Sequence, residues 1–257
     1  MSKRWANRIA VGALWFCGIT TVAVLGAVIV YVFVRGVGQI TPEFIFTRPH
    51  GVNAEGGIGP TIVATIYVTG LAMLIVTPIA VLAAVYLAEY AVQGRLVNTI
   101  RFAADTLASV PSIVLGLFGF ALFYEAMGLG FSVLSGALAL SFLMLPIVMR
   151  ATEEAIRAVP RFIRWGSYGL GASKWQTVSR IVLPSAMPRI LTGLILAMGR
   201  AVGETAVVIF TMGEAINMPI SPLDSGRSMT VHLYVLAMEG INMDAAYGTA
   251  LLLMVMI

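Results

Sequence analysis

Long uncharged apolar runs alternate with short basic stretches along the chain. Ile9–Val34, Thr61–Ala88, Thr106–Tyr124 and Ala126–Met149 contain no Asp, Glu, Lys or Arg, and Ile190–Met212 is apolar apart from Arg200 and Glu204. A helix needs about 20 apolar residues to cross ~30 Å of hydrocarbon, so each of these five runs predicts a transmembrane helix. A sixth run, Ala245–Ile257, is apolar to its last residue but is 13 residues long. It predicts a final span that is cut short here or incompletely described. The expectation is one all-α polytopic membrane domain over 1–257 with six transmembrane helices, its core module at about 61–257.

Composition agrees. Hydrophobic residues make up 59% of the chain and DEKR 11%, with mean hydropathy +0.94. Soluble domains run nearer ~45–50% apolar and ~25% charged, and a soluble monomer has no core large enough to hide the excess. Soluble enzyme, disordered chain and nucleic-acid-binding domain are excluded.

Charge placement sets the orientation, because basic flanks resist translocation. Lys3, Arg4 and Arg8 precede the first run, and Arg95 and Arg101 separate the second from the third. Arg150, Arg157, Arg161, Arg164, Lys174, Arg180 and Arg189 separate the fourth from the fifth. Only Arg35, Arg48 and Arg227 fall on the other side. The N-terminus and the loop 150–189 are therefore expected in the cytoplasm, with Glu43–Gly59 and Glu214–Asp244 facing outward. Within the second of these, Met229–Met238 predicts a helix too short to span. The first run exceeds the ~7–15 residues of a signal-peptide core and lacks a small-x-small cleavage site, so it reads as a retained span.

Pro78, Pro111 and Pro146 interrupt the spans, as packing kinks or as flexing joints. Gly199 and Gly203 suggest a close packing face. Cys17 has no partner for an intrachain disulfide, and His50 and His232 show no metal-site spacing.

The loop 150–189 is hydrophilic but structured in character. Ile156, Val159, Phe162, Trp165, Leu170, Trp175, Val178 and Ile181 recur at roughly helical spacing. Gly169 and Gly171 suggest a break between two short helices, and Pro184 an end to the second. Two tryptophans in such a stretch read as a docking surface for another protein or as an interfacial helix on lipid headgroups.

Gly171, followed after nine residues by Ile181-Val182-Leu183-Pro184, resembles the second half of the EAA loop of binding-protein-dependent ABC importer permeases. Further stretches narrow the resemblance to phosphate permeases of the PstA type. They include Tyr86-Leu87-Ala88-Glu89-Tyr90, Val110-Pro111-Ser112-Ile113-Val114, Leu170-Gly171-Ala172-Ser173-Lys174-Trp175 and Gly199-Arg200-Ala201-Val202-Gly203-Glu204-Thr205-Ala206. Two positions depart from the family pattern: Trp165-Gly166-Ser167 stands where Glu-Ala-Ala would fall, and Val207 where a proline is expected. The resemblance implies the fold of a type I ABC importer permease with a cytoplasmic coupling helix. Gly171 would be the tight turn, Ala172 and Trp175 contacts to an ATPase, and Leu183-Pro184 the exit toward the fifth span. It also implies as partners a related PstC-like permease, two copies of an ABC ATPase that use ATP and Mg, and an extracytoplasmic phosphate-binding protein. A permease for another oxyanion (sulfate, molybdate or tungstate), or the PstC-type partner itself, is the alternative.

A charge near the bilayer midplane costs roughly 2.5–3.5 kcal/mol by insertion scales and persists only with a partner or a polar cavity. Arg200 has such a partner in Glu204, one helical turn on. The pair is either a structural ion pair or an anion path in which the Arg200 fork binds two oxygens and Glu204 keeps the empty path neutral. Arg101 and Asp105 predict a second i,i+4 pair. Neither Lys3 nor Lys174 follows a glycine, so the chain holds no P-loop; with no catalytic site and no metal site evident, a transport subunit without cofactor is expected.

Overall fold

The computed structural model describes residues 3–50 and 55–257. The side chains of Lys3, Arg4 and His50, and residues 51–54 of the first outward loop, lie outside the described residues. Helix α1, Lys3–Gly36, leads through a 3₁₀ turn at Val37–Gln39 into α2, Pro42–Phe46. Two-residue strands β1, Pro49–His50, and β2, Glu55–Gly56, pair antiparallel. Helix α3, Gly59–Val85, ends in a widened π turn at Tyr86–Tyr90. Helices α4, Arg95–Ser109, and α5, Ser112–Gly119, follow, the latter running into a π turn at Phe120–Ala126. Next come α6, Val133–Arg157, and α7, Arg161–Gly169. Helix α8, Lys174–Thr177, then continues through a π turn at Val178–Val182 into α9, Leu183–Val202. Helices α10, Ala206–Thr211, α11, Met229–Met238, and α12, Met243–Met256, complete the chain.

The core is a small-residue seam. On α3, Ala64, Val68, Ala72, Val76, Ala80 and Ala84 are buried at every fourth position, against Val133, Ala137, Leu140, Met144 and Val148 of α6. Lipid tails are as apolar as side chains, so helices in a membrane gain by close approach rather than by leaving water, and alanine permits it. Ser141 Oγ adds a hydrogen bond across the seam to the Ala72 carbonyl at 3.2 Å. Between α9 and α6 the approach is tighter: a Cβ on Gly193 would lie 2.5 Å from Ala151 Cβ. Helix α1 touches the rest chiefly through α12, where the Tyr31 and Tyr247 rings meet edge-on at 5.8 Å. Its other faces present Leu14, Trp15, Phe16 and Val22 outward, as lipid or a partner helix requires.

Among the described residues four helices are long and apolar enough to cross a membrane: Asn7–Gln39, Gly59–Tyr90, Val133–Arg157 and Lys174–Val202. The remaining expectations need correction. The run Thr106–Tyr124 is not one straight span, because Arg95–Ser109 and Ser112–Ala126 meet at 100°. Val110 (ψ 131) and Pro111 (ψ 137) are both extended there; proline disfavours helix in the residue before it and has no N–H to continue the ladder. The fourth span starts at Val133, not Ala126. Gly128 and Gly130 take positive φ, and the Ser132 hydroxyl then caps the helix by accepting Ser135 N at 3.1 Å. Pro184 does not end a helix: the π turn immediately before it absorbs the missing bond, leaving Lys174–Val202 continuous. The fifth span instead breaks at Gly203–Thr205. Gly199 and Gly203 form no close packing face, since added Cβ atoms there would meet nothing nearer than 3.6 Å and 3.7 Å. The sixth run appears as α12, 14 residues long.

Candidate translocation path and docking surface

Arg200 occupies the last turn of α9, where the carbonyl end of the helix favours a cation. Glu204 lies just past the end, with its N–H bonded back to the Ala201 carbonyl at 3.1 Å. Their side chains approach to 4.0 Å (Nη2 to Oε2), with Arg200 56% exposed and Glu204 7% exposed. At that distance the contact is an ion pair without a hydrogen bond, so the guanidinium keeps donors free on an open face while the carboxylate is held inside. Two contacts fix the carboxylate side. Thr230 Oγ1 on α11 donates to the Glu204 carbonyl at 3.0 Å, and Met229 N donates to Thr65 Oγ1 on α3 at 2.8 Å. Arg200 also closes a small cavity of about 30 Å³ lined by Leu107, Ala108 and Val110 at the α4–α5 break, with Leu115, Leu143 and Ile147. Two backbone breaks, at Val110–Pro111 and at Gly203–Thr205, therefore flank one guanidinium. The sequence pointed to the pair but not to this second break.

The loop after α6 is a helix-turn-helix. Gly171 makes the turn at φ +84, a conformation that costs a side chain on Cβ. Ser173 and Gln176 form a reciprocal capping box at the start of α8, and Ser167 Oγ meets Thr177 Oγ1 at 2.8 Å across the turn. The apolar residues of this region split by face. Ile156, Val159, Val178, Val182, Ala186 and Ile190 are buried together, with Leu183 packed on them. Phe162, Trp165, Leu170 and Trp175 are exposed. Gly171, Ala172 and Trp175 thus sit at the projecting turn. Leu183 and Pro184 lie about 12 Å along the helix from Trp175, with Leu183 turned inward and Pro184 exposed.

Behind this turn lies a charge network that sequence spacing does not reveal. Arg101 and Asp105 do not pair with one another. Arg101 Nε donates to Glu153 at 3.0 Å and its Nη1 to Gln93 at 3.1 Å, while Asp105 accepts from Arg150 Nε at 2.9 Å. Glu153 also accepts from Arg157 at 2.7 Å. Arg164 Nε and Nη2 reach Glu89 Oε1 at 3.0 Å and 2.6 Å. Glu89, Gln93, Arg157, Arg161, Arg164 and Trp165 line an open cavity of about 680 Å³. The acid at position 89, closing an otherwise uncharged run, was the available signal.

At the opposite end, Asp224 accepts from the N–H groups of Ser221 and Ile220 at 2.7 Å and 2.9 Å, which hold its carboxyl below the usual range. His232 on α11 is buried with Nδ1 unpartnered; desolvation, and secondarily Arg227, lower its pKa to about 4. Among the described residues no group of three His, Cys, Asp or Glu could hold a metal ion.

Residues 77–257, which include both regions, match the family model described as "Binding-protein-dependent transport system inner membrane component". The chain is 34% identical over 258 residues to the probable ABC transporter permease protein YqgI of Bacillus subtilis, covering 95% of this chain and 88% of that protein. It is 42% identical over 195 residues to the phosphate transport system permease protein PstA 1 of Mycobacterium tuberculosis, covering 74% and 64%. With the phosphate transport system permease protein PstA of Haemophilus influenzae it shares 34% over 203 residues, covering 79% and 68%. Its fold aligns with a chain of the inward-facing MetNI methionine ABC transporter at a TM-score of 0.61 and 19% identity, covering 78% of this chain and 87% of that one.

Proposed function

Because this chain belongs to the family of binding-protein-dependent transport system inner membrane components, we propose that it is one permease half of an ATP-driven importer of inorganic phosphate. A related PstC-like permease supplies the other half, with the N-termini in the cytoplasm. Two ATPase subunits, which bind ATP and Mg, dock on the projecting turn at Gly171–Trp175 and on the partner's equivalent. A binding protein delivers the anion to the opposite side. Closure of the ATPases drives the helices between outward-open and inward-open states.

The observation that carries the substrate class is the Arg200 guanidinium, 56% exposed beside a break in its span and 4.0 Å from a buried carboxylate. Its planar fork fits two oxygens of a tetrahedral oxyanion. Glu204 stabilises the empty site and weakens the filled one, which suits cargo that must leave again. The phosphate permeases among the relatives support phosphate as the anion. The continuous rod Lys174–Val202 supports the coupling step, since it joins the docking turn to Arg200 across about 39 Å.

The test is ATP-dependent uptake of labelled phosphate into proteoliposomes holding this chain, its partner permease, the ATPase and the binding protein. Wild type is expected to accumulate phosphate only with ATP and despite excess sulfate or molybdate. Arg200→Gln is expected to assemble and to lose uptake. Full competition by sulfate or molybdate would reassign the anion, and uptake without ATP would overturn the importer reading.

A further inference from the structure

Helix α3 does not end free at the docking side; the helix-turn-helix grips its last turn from two places. Arg164 of α7 makes four hydrogen bonds. Its Nε and Nη2 donate to Glu89 Oε1 at 3.0 Å and 2.6 Å, its Nη1 to the Val159 carbonyl at 2.6 Å and its Nη2 to the Ile156 carbonyl at 2.9 Å. One guanidinium thereby ties the end of α6, the docking helix α7 and the end of α3. The second contact comes from α8: Lys174 Nζ lies 4.9 Å from the centre of the Tyr90 ring. Glu89 and Tyr90 are the last two residues of the π turn.

Both side chains of the Glu89–Arg164 pair are largely buried, 8% and 14% exposed. Burying two charges forfeits their hydration, and such a pair seldom stabilises a fold more than apolar residues of the same volume. Its worth is therefore sought in what it connects. On the outer face of the same short helix stand Phe162 and Trp165, exposed; on its inner side Arg164 holds α3. At its other end α3 is bonded through Thr65 to α11, and α11 through Thr230 to the Glu204 carbonyl. Arg200 rides on the α8–α9 rod, while Glu204 is tied to α3.

Building on the importer reading, we propose that Glu89 and Arg164 are positioning residues for energy coupling. They make α3, and with it the Glu204 side of the anion site, follow each displacement of the docking loop. Neither residue touches the anion.

The experiment measures phosphate accumulated per ATP hydrolysed in the four-component proteoliposomes, with co-purification of the ATPase as the assembly check. Glu89→Ala and Arg164→Ala are expected to assemble and hydrolyse ATP while moving roughly tenfold less phosphate per ATP, toward the upper end for coupling residues. The double variant is expected to fall no further than either single variant, because the two act as one unit. Glu89→Gln, which keeps an acceptor oxygen, is expected to lie between. An unchanged ratio overturns the proposal, as does a parallel fall in uptake and hydrolysis. Loss of assembly in the single variants also overturns it, by assigning the pair to folding. Wild-type complexes that show no ATP-dependent uptake would instead sink the importer reading itself, independently of any variant.

Discussion

Arg101 on α4 and Glu153 on α6 are joined by two contacts to one carboxylate oxygen, Nε at 3.0 Å and Nη2 at 2.7 Å. Glu153 is nearly closed to solvent and Arg101 mostly so. Removing the acid leaves a buried guanidinium uncompensated, a change worth about 3–5 kcal/mol. The neighbouring Asp105–Arg150 pair is half-exposed, and such pairs contribute ~0–1 kcal/mol. Glu153→Ala is therefore expected to lower the melting temperature of the detergent-solubilised protein strongly, and Asp105→Asn little. Equal shifts would refute this ranking.

Gly193 is there because Ala151 is. A Cβ at position 193 would stand 2.5 Å from Ala151 Cβ, and forcing the helices apart costs ~1–3 kcal/mol. Gly193→Ala should lower thermal stability, and Ala151→Gly in the same chain should restore most of it. No recovery in the double variant would show that the seam is limited elsewhere.

Trp165, Leu170 and Trp175 are exposed, so truncating them removes little from the fold, within about ±0.5 kcal/mol for surface positions. Aromatic anchors, in contrast, dominate interfaces, at ~2 kcal/mol or more each. The Trp165→Ala/Trp175→Ala variant is expected to melt like wild type yet fail to co-purify the ATPase subunit. Retained co-purification would move the docking surface away from this turn.

Glu204→Gln removes the charge opposite Arg200. The pair is half-open, so its worth is on the order of 1 kcal/mol. Phosphate should bind the reconstituted complex about fivefold more tightly by that figure, and turn over more slowly because release is held back. Weaker binding would show that Glu204 serves to hold the guanidinium rather than to oppose the anion.

His232 is held neutral by burial, with its pKa lowered to about 4. The unfolded chain takes up the proton below about 6.5. Stability is therefore full above pH 6.5 and falls as the pH drops toward 4, by up to ~1.4 kcal/mol per pH unit. Melting temperatures between pH 7.5 and 5 should show this decline, and His232→Leu should flatten it.

What could be read from the chain followed the range of each signal. The apolar runs gave α1 and α3 nearly to their ends, since a lipid-facing helix needs apolar residues on every face. Met229–Met238 is found as expected, bounded by Ser228 as cap. The break at Val110–Pro111 was concealed because its flanks are as apolar as a straight span, so Pro111 read equally as a kink. Arg101 and Asp105 share a helix face, and charge alone cannot tell an i,i+4 partner from one on a packed neighbour. Glu89 and Arg164 are 75 residues apart, and no local pattern joins them. At the candidate site the sequence identified Arg200 and Glu204; that the helix ends between them depends on tertiary contacts from Thr230 and Thr65.

The widened turn at Tyr86–Tyr90 has a meaning for sequence length. Each residue of an α-helix advances about 100° around the axis, so a turn holding one extra residue resets the phase of whatever follows. Deleting Ala88 would let the turn relax to ordinary α geometry at little local cost, yet it would swing Glu89 and Tyr90 about a quarter-turn or more away from Arg164 and Lys174. At this point of the chain, insertions and deletions are constrained by angle rather than by stability.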